Sequence, residues 1–424
     1  MSIEIKPVGS SCSLRCSYCY LHETREQEGP KRPDMPALRQ VIAGLTSHFS
    51  LFGGEALLTP LPDLDELLRL SYEKFGQSGV QTSATTITDA HIELFLKYHT
   101  HVGISIDGPG ELNRARWAGS IEATDRMTDL TEATLYRLLE LSQTHSCLGP
   151  SVITTLHKGN ISKSAFPQFV EWIKTLDRKG LKHLNLHLLE NDHQADSWAV
   201  DEKTLGDRLI DLWTLAPTLS TLKIGMFEEI ERILQGNDKN AVCVYKNCDP
   251  YWTQAVEGYE HDGTRSGCGR LQKDGQHWLP AERHGYERQL ALYVTPQDFG
   301  GCQDCTRWIV CRGNCPGTGI DSDWRYKTSH CAVLKRLFAH GEKLLLERGI
   351  TPLPEWTDRK KIEDAMYLAW GRGENPSVED ITAQVRQTKC APNNQRHGYH
   401  TDGPLYHADI PHGDSHADST TNNR

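Results

Sequence analysis

The sequence lacks any run of eighteen apolar residues, and its N-terminus, MSIEIKPVGSSC, has neither the basic stretch nor the apolar core of an export signal. A membrane-spanning helix and a signal peptide are therefore not expected, and the expected location is cytoplasmic. An excess of basic residues is missing too: 46 Lys and Arg stand against 56 Asp and Glu, a net charge of -10. A broad nucleic-acid surface needs the opposite balance to displace counterions from phosphates, so none is expected. No fixed-period repeat is present, which excludes solenoids and propellers. What remains is a chain of 424 residues, 38% hydrophobic, long enough for two packed domains. Its composition breaks only near the end, at about residues 391–424, rich in His, Asp, Asn, Gly and Ser. That stretch reads as a tail without a packed core, and its His397, His400, His407, His412 and His416 as solvated rather than metal-bound.

Cysteine is abundant, at thirteen residues. In a reducing compartment such thiols are metal ligands more readily than disulfides. Cys12, Cys16 and Cys19 are spaced C-x3-C-x2-C in the segment CSLRCSYCY. Three thiolates for a [4Fe-4S] cube that normally takes four leave one iron open to bind something other than protein. A structural zinc site or a disulfide pair is the alternative, and zinc would want a fourth ligand close by. Up to about residue 215, short apolar runs alternate with longer amphipathic stretches, the pattern of repeated βα units around a parallel sheet. Strands are expected at 3–6, 48–52, 79–82, 102–106, 151–155 and 183–188, with helices such as 63–75 and 131–143 between them. Motifs begin where these strands end, and in (β/α) barrels ligands sit at the C-terminal ends of strands.

The arrangement C-x3-C-x-aromatic-C, with Tyr18 as the aromatic residue, resembles the signature of the radical S-adenosylmethionine (radical SAM) enzymes. The resemblance implies an α/β fold, a partial (β/α)6 TIM barrel with one open side. It also implies that the open iron is chelated by the amino and carboxylate groups of SAM, which an electron from the cluster cleaves to a 5′-deoxyadenosyl radical. Phe52-Gly53-Gly54-Glu55 resembles the family's GGE motif, which holds the methionine amino group; paired glycines permit close backbone approach, and Glu55 can accept from an ammonium. A plain turn is the alternative. Ser105-Ile106-Asp107-Gly108 is similar to the family's S-I-D-G segment, whose serine contacts SAM. In the segment that follows, relatives carry an arginine for the SAM carboxylate, a task suited to a fixed guanidinium fork; Arg116 is the candidate and Arg114 its neighbouring alternative. Ser83 stands where relatives often have asparagine, and Leu188 ends the sixth strand as the candidate for adenine packing. The expected SAM contacts are thus Tyr18, Gly53, Gly54, Glu55, Ser83, Ser105, Asp107, Arg116 and Leu188.

A second dense region reads Cys302-x2-Cys305-x5-Cys311-x3-Cys315, with Cys331 sixteen residues later and Cys243, Cys248 and Cys268 upstream. Fourteen residues separate Cys248 from Gly263, and four more separate Gly263 from Cys268. This layout resembles the SPASM domain, found C-terminal to the barrel in peptide-modifying radical SAM enzymes. The resemblance implies two auxiliary [4Fe-4S] clusters, the first held by Cys243, Cys248, Cys268 and Cys315, the second by Cys302, Cys305, Cys311 and Cys331. Full coordination leaves no open iron, which suits electron transfer or structure. Cys147, beside an apolar strand, reads as a structural thiol, and Cys390 falls in the tail. A zinc ribbon is the alternative for the C-x2-C pair, but it leaves four of the eight cysteines idle.

The resemblance therefore implies an enzyme, a radical SAM peptide maturase. It would abstract hydrogen from a residue of a ribosomally made precursor peptide and give an oxidative cross-link, a ring closure or a related C–H modification. The protein's own task is to hold a C–H bond in place and exclude water while the cofactor does the hard step. The implied cofactors are three [4Fe-4S] clusters and SAM. The implied partners are the precursor peptide and an electron donor such as flavodoxin or ferredoxin. Only eleven residues precede Cys12, so leader capture falls to the SPASM surface, to a separate leader-recognition protein, or is not needed. Anaerobic sulfatase maturases, which form formylglycine, share this architecture and are the nearest alternative. They tend to carry an aspartate base directly after the third cysteine of the first auxiliary cluster; here that position is Gly269, with Asp262 and Asp274 as substitutes. An iron-sulfur electron carrier without SAM cleavage is the alternative of another class, although a carrier would not need a methionine-chelating set. The expected domains are residues 1–215 for the barrel, 216–345 for the SPASM region and 346–424 for a helical extension and His-rich tail. No catalytic base is identifiable.

Overall fold

A computed structural model describes residues 2–190, 195–249, 256–272 and 285–388. The short apolar runs form strands β1 (Ser2–Ile5), β2 (Phe49–Leu51), β3 (Ser78–Thr82), β4 (Thr100–Ser105), β5 (Ser151–Leu156) and β6 (His183–Leu188). Helices α1 (Met35–Gly44), α2 (Leu61–Phe75), α3 (Asp89–Lys97), α4 (Ile121–Thr144) and α5 (Phe166–Arg178) connect them. Burial in α2 follows the helical period, with Leu64, Leu67, Leu68 and Ser71 inside. Pro62 sits in its first turn, and Gly76, in the left-handed conformation at φ 74°, ends it. The expected helix at 131–143 begins ten residues earlier, because the Ser120 side chain caps α4 by accepting from the Ala123 amide.

All six expected strands are present within two residues of their expected starts, but the sheet has nine. Beyond residue 215 lie β7 (Lys223–Ile224), β8 (Val256–Tyr259) and β9 (Arg265–Ser266), and the order is β7-β6-β5-β4-β3-β2-β1-β8-β9. Neighbours are parallel throughout, apart from the antiparallel pair β8–β9. This corrects two expectations. The sheet is not limited to six units, and it does not stop at residue 215, because β8 runs beside β1 with Ser2 opposite Val256 and Ile5 opposite Tyr259. β7 and β9 have two residues each, and β8, Val256-Glu257-Gly258-Tyr259, carries a charge and a glycine, so none of the three shows an apolar run in the sequence.

Ile5, Leu51, Ile104, Val152 and Leu184, one from each of five strands, are fully buried under the helices. Each such side chain contributes about 1.5–3 kcal/mol by leaving water. After β6 and β7 come α6 (Glu202–Leu215) and α7 (Gly225–Leu234), against which the long α8 (Cys331–Glu347) packs. Gly341 permits that approach: a Cβ there would lie 2.8 Å from Leu234 and 2.9 Å from Trp213. Two further helices, α9 (Arg359–Gly371) and α10 (Val378–Thr388), follow. Asp238 ties them to the body, accepting from the Val378 amide at 2.8 Å and from Arg312 Nη2 at 2.6 Å. The tail at 391–424 and Cys390 lie outside the described residues. Among the described residues no helix is long and apolar enough to cross a membrane.

Candidate active-site cleft

The Gly53–Gly54 pair follows β2, and its close contact is with the chain itself. The Gly54 amide donates to Gly9 O at 2.9 Å and the Glu55 amide to Ser11 O at 2.8 Å. A Cβ on Gly54 would sit 2.2 Å from Ser11 O, and one on Gly53, at φ 116°, 2.5 Å from Gly9 O. Glycine is required at both positions because the loop leading into Cys12 lies directly on them. That contact brings Cys12, Cys16 and Cys19 to the same cleft as the C-terminal ends of β2 to β6, with about 930 Å³ of open space. Of the expected SAM contacts, Tyr18, Gly53, Gly54, Ser83, Ser105, Arg116 and Leu188 line it.

Glu55 and Asp107 do not line the cleft. The Glu55 carboxylate accepts from Leu57 N at 3.2 Å, Thr82 Oγ1 at 2.6 Å, Ser83 N at 2.8 Å and the Ser83 hydroxyl, so it stitches the end of β2 to the end of β3. Asp107, fully buried, accepts from the Thr155 amide at 2.9 Å and from the Tyr18 hydroxyl, with His157 Nε2 at 3.4 Å. Burial would raise its carboxyl, but His157 and Arg116 more than offset that and hold it below the usual carboxylate range. Arg116 Nη1 in turn donates to the Tyr18 hydroxyl at 3.0 Å. A chain from the buried His157 and Asp107 through the half-buried Tyr18 thus fixes one arm of the Arg116 guanidinium. Arg114 is turned outward, pairing with Asp125 at 3.0 Å and Glu111 at 2.8 Å.

The cleft also holds residues that the sequence reading did not single out, among them Gln81, Thr155, His187, Glu190, Arg270 and Tyr20. Gln81 Nε2 donates to Ser105 Oγ at 2.7 Å, and Gly103 leaves the room it needs, since a Cβ there would lie 2.1 Å from Gln81 Oε1. Arg270 Nε pairs with Glu190 Oε1 at 2.7 Å, and Arg270 Nη2 lies 3.1 Å from His187 Nδ1. Burial, reinforced by the Arg270 charge, lowers the His187 pKa to about 3, so its ring is neutral at pH 7 and accepts from Arg270. Only the place of Arg270, two residues after an expected ligand cysteine, could have drawn attention to it. Gly269 packs under the Tyr20 ring, where a Cβ would meet Cε2 at 2.6 Å. Asp262 closes a turn by accepting from the Thr264 amide at 3.0 Å and does not line the cleft; Asp274 lies outside the described residues.

The twelve described cysteines are all free thiols. Cys302, Cys305, Cys311 and Cys331 line one small cavity with about 340 Å³ of open space. Cys243 and Cys268 each lie within electrostatic reach of Cys315. Cys147, half-buried, stands apart from both groups as a free thiol. Burial pushes the thiols of Cys16 and Cys302 up to about 12, so their thiolates need a cation beside them, as bound iron would supply. Among the described residues no three His, Cys, Asp or Glu side chains converge on a single metal ion; what the cysteines share is a cavity. Arg288 lies among the cysteines of this second region. Its guanidinium is buried and, among the described residues, donates to backbone carbonyls, those of Trp324 at 2.6 Å, Tyr326 at 3.0 Å, Asn314 at 3.2 Å and Gly313 at 3.3 Å. It lies within reach of the buried Asp249 carboxylate and of Cys248, Cys302 and Cys315, so negative charge on these groups stabilises the buried cation.

Residues 7–136 match the family model of the Radical SAM superfamily. The serine-type anaerobic sulfatase-maturating enzyme of Bacteroides thetaiotaomicron is 33% identical over 126 residues, 26% of this chain and 30% of that protein, so the match spans about a third of the relative's length. The cysteine-type anaerobic sulfatase-maturating enzyme of Clostridium novyi is 22% identical over 348 residues, 74% of this chain and 87% of that one. Among solved structures, native anSMEcpe with bound AdoMet and Cp18Cys peptide aligns at a TM-score of 0.62 and 17% identity, covering 82% of this chain and 98% of the other. At that identity the likeness is one of fold.

Proposed function

We propose, from the premise that residues 7–136 form a radical SAM domain, that this protein is a radical SAM enzyme acting on a peptide. The observation that carries the reading is the convergence of Cys12, Cys16 and Cys19 with Ser83, Ser105, Arg116 and Leu188 on one cleft. When bound there, a three-cysteine [4Fe-4S] cluster with SAM supplies a 5′-deoxyadenosyl radical that takes a hydrogen atom from the substrate. Cys12, Cys16 and Cys19 hold three irons. The Arg116 fork, steadied by Tyr18, meets the methionine carboxylate, Ser105 and Ser83 offer hydroxyls, and Leu188 packs the adenine. Thiolates at one side, a fixed guanidinium and an apolar wall suit that ligand in chemistry and size.

The eight cysteines of the second region hold two auxiliary clusters in this reading, Cys243, Cys248, Cys268 and Cys315 for one, Cys302, Cys305, Cys311 and Cys331 for the other. Fully ligated clusters suit an oxidation, since a substrate radical must give up an electron. The product is then an oxidative cross-link, ring closure or related C–H modification of a precursor peptide. A flavodoxin- or ferredoxin-like protein supplies the first electron.

Formylglycine formation on a sulfatase is the second reading, favoured by the similarity to the Clostridium novyi enzyme over 87% of its length. Against it stands Gly269: the Tyr20 ring fills the space that an aspartate side chain at this position would need. An electron carrier is disfavoured because the Arg116 arm is held ready by Tyr18, Asp107 and His157, a chain that a carrier would not need.

The test is anaerobic reconstitution followed by SAM and dithionite. About twelve irons per chain, 5′-deoxyadenosine formation and a mass change on a short peptide encoded beside the gene support the reading. A mass change confined to a sulfatase-derived Cys or Ser peptide moves it to the maturase, and full iron without SAM cleavage refutes it.

A further inference from the structure

The ion pair between Arg270 and Glu190 joins the two flanks of the cleft. Glu190 follows β6 by two residues, while Arg270 comes from beyond β9, at the other end of the sheet order. A guanidinium carries five N–H groups. Nε is engaged in the ion pair with Glu190 Oε1 at 2.7 Å, and one N–H, on Nη2, goes to His187 Nδ1 at 3.1 Å. Among the described residues the other three, including both on Nη1, have no protein acceptor. Nor are they sealed off: the Arg270 side chain keeps 21% exposure and lines the cleft.

Charge decides what these donors take. Glu190 already neutralises Arg270, and Cys268 and Cys315 add negative charge nearby once they hold iron. His187 brings no compensating positive charge, since it serves as a neutral acceptor. A second carboxylate at this edge would stand against Glu190, which already takes up the Arg270 charge. A carbonyl oxygen needs N–H donors and no net charge, and the planar Nη1–Nη2 edge offers donors side by side. Tyr20, over Gly269, forms an aromatic wall beside the pair.

Resting on the peptide reading above, we propose that Arg270 anchors the substrate by donating to the carbonyl oxygen of a neutral amide, and that Glu190 rejects acidic residues there. The amide comes from the peptide backbone or from an Asn or Gln side chain.

The experiment uses SAM-bound holoenzyme of matched iron content and the peptide that undergoes the mass change described above, with affinity measured by calorimetry. Arg270→Lys, which keeps the charge and loses the fork, is expected to weaken peptide binding about tenfold or more while SAM affinity holds. Glu190→Gln is expected to tighten a version carrying Asp beside the modified residue by about tenfold relative to the parent peptide in the same variant. Replacing each Asn and Gln of the peptide by Ala leaves affinity intact if the backbone supplies the carbonyl, and removes it if a side chain does. Unchanged binding by Arg270→Lys, or an unchanged bias against Asp in Glu190→Gln, overturns the proposal. If Arg270→Lys does not reconstitute, the Glu190→Gln comparison decides alone. Failure of any peptide to bind the wild-type holoenzyme overturns the peptide reading itself, and this subsite with it.

Discussion

Replacing Glu55 by Gln separates a stitch in the fold from a direct ligand contact. The carboxylate is buried and accepts four hydrogen bonds, from Leu57 N, Thr82 Oγ1, Ser83 N and Ser83 Oγ. Glutamine keeps the shape but turns one oxygen into an NH2 donor. The amide can face either way, and in each orientation it meets a backbone N–H, of Leu57 or of Ser83, that cannot rotate to accept. One buried backbone donor is left without an acceptor, which costs about 1–3 kcal/mol. The remaining bonds lose their charge assistance, worth about 1 kcal/mol more in sum after relaxation. The expected loss is about 2–4 kcal/mol in the SAM-free protein, read as a lower thermal midpoint of matched reconstituted samples. SAM affinity, measured separately by equilibrium dialysis, is expected to fall less than stability. An unchanged midpoint with abolished SAM binding would refute the reasoning and return Glu55 to the role of an ammonium acceptor.

Arg116→Ala is expected to weaken SAM binding about a hundredfold, whereas Arg114→Ala, which breaks only outward-facing pairs with Asp125 and Glu111, leaves it unchanged in the same dialysis assay. His187 makes a pH signature: its folded pKa, lowered to about 3, lies below the unfolded value of about 6.5, so the unfolded chain binds more protons between these limits and stability falls as pH drops through that window. Melts at pH 7.5 and 5.5 are expected to differ by at most about 1.4 kcal/mol from this group, a difference that His187→Asn removes. Cys311→Ala is expected to lower the iron content by about four per chain while SAM cleavage persists, because Cys311 lies in the cavity shared with Cys302, Cys305 and Cys331 and not on the SAM cleft. Loss of about eight irons instead would place the two auxiliary sites in one cooperative unit.

Local pattern carried much of this. The strands from β1 to β6 are apolar runs bounded by amphipathic helices, and each signal is complete within a few residues, so it survives in one dimension. The triplet Cys12, Cys16 and Cys19 is legible for the same reason, since its ligands are neighbours along the chain. Gly53 and Gly54 were also visible, but their cause was not: the atoms they make room for, Gly9 O and Ser11 O, belong to a loop some forty residues earlier. Glu55 and Asp107 show the converse. Their type and place in a motif suggest ligand contacts, yet the amides of Ser83 and Thr155, which turn the two carboxylates inward, lie on other strand ends.

By itself the sequence determined the cysteine spacings, the run of six βα units and the small-residue turns after β2 and β4, because each depends on covalent neighbours and local periodicity. Only the tertiary structure decided that β8 and β9 extend the sheet past residue 215, that Arg116 rather than Arg114 reaches the cleft, and that Arg270 meets Glu190 across eighty residues of chain. The physical reason is common to all three. Strand pairing and burial of a charged side chain are settled by which distant groups satisfy its hydrogen bonds, and that partner is fixed only when the sheet assembles and water leaves.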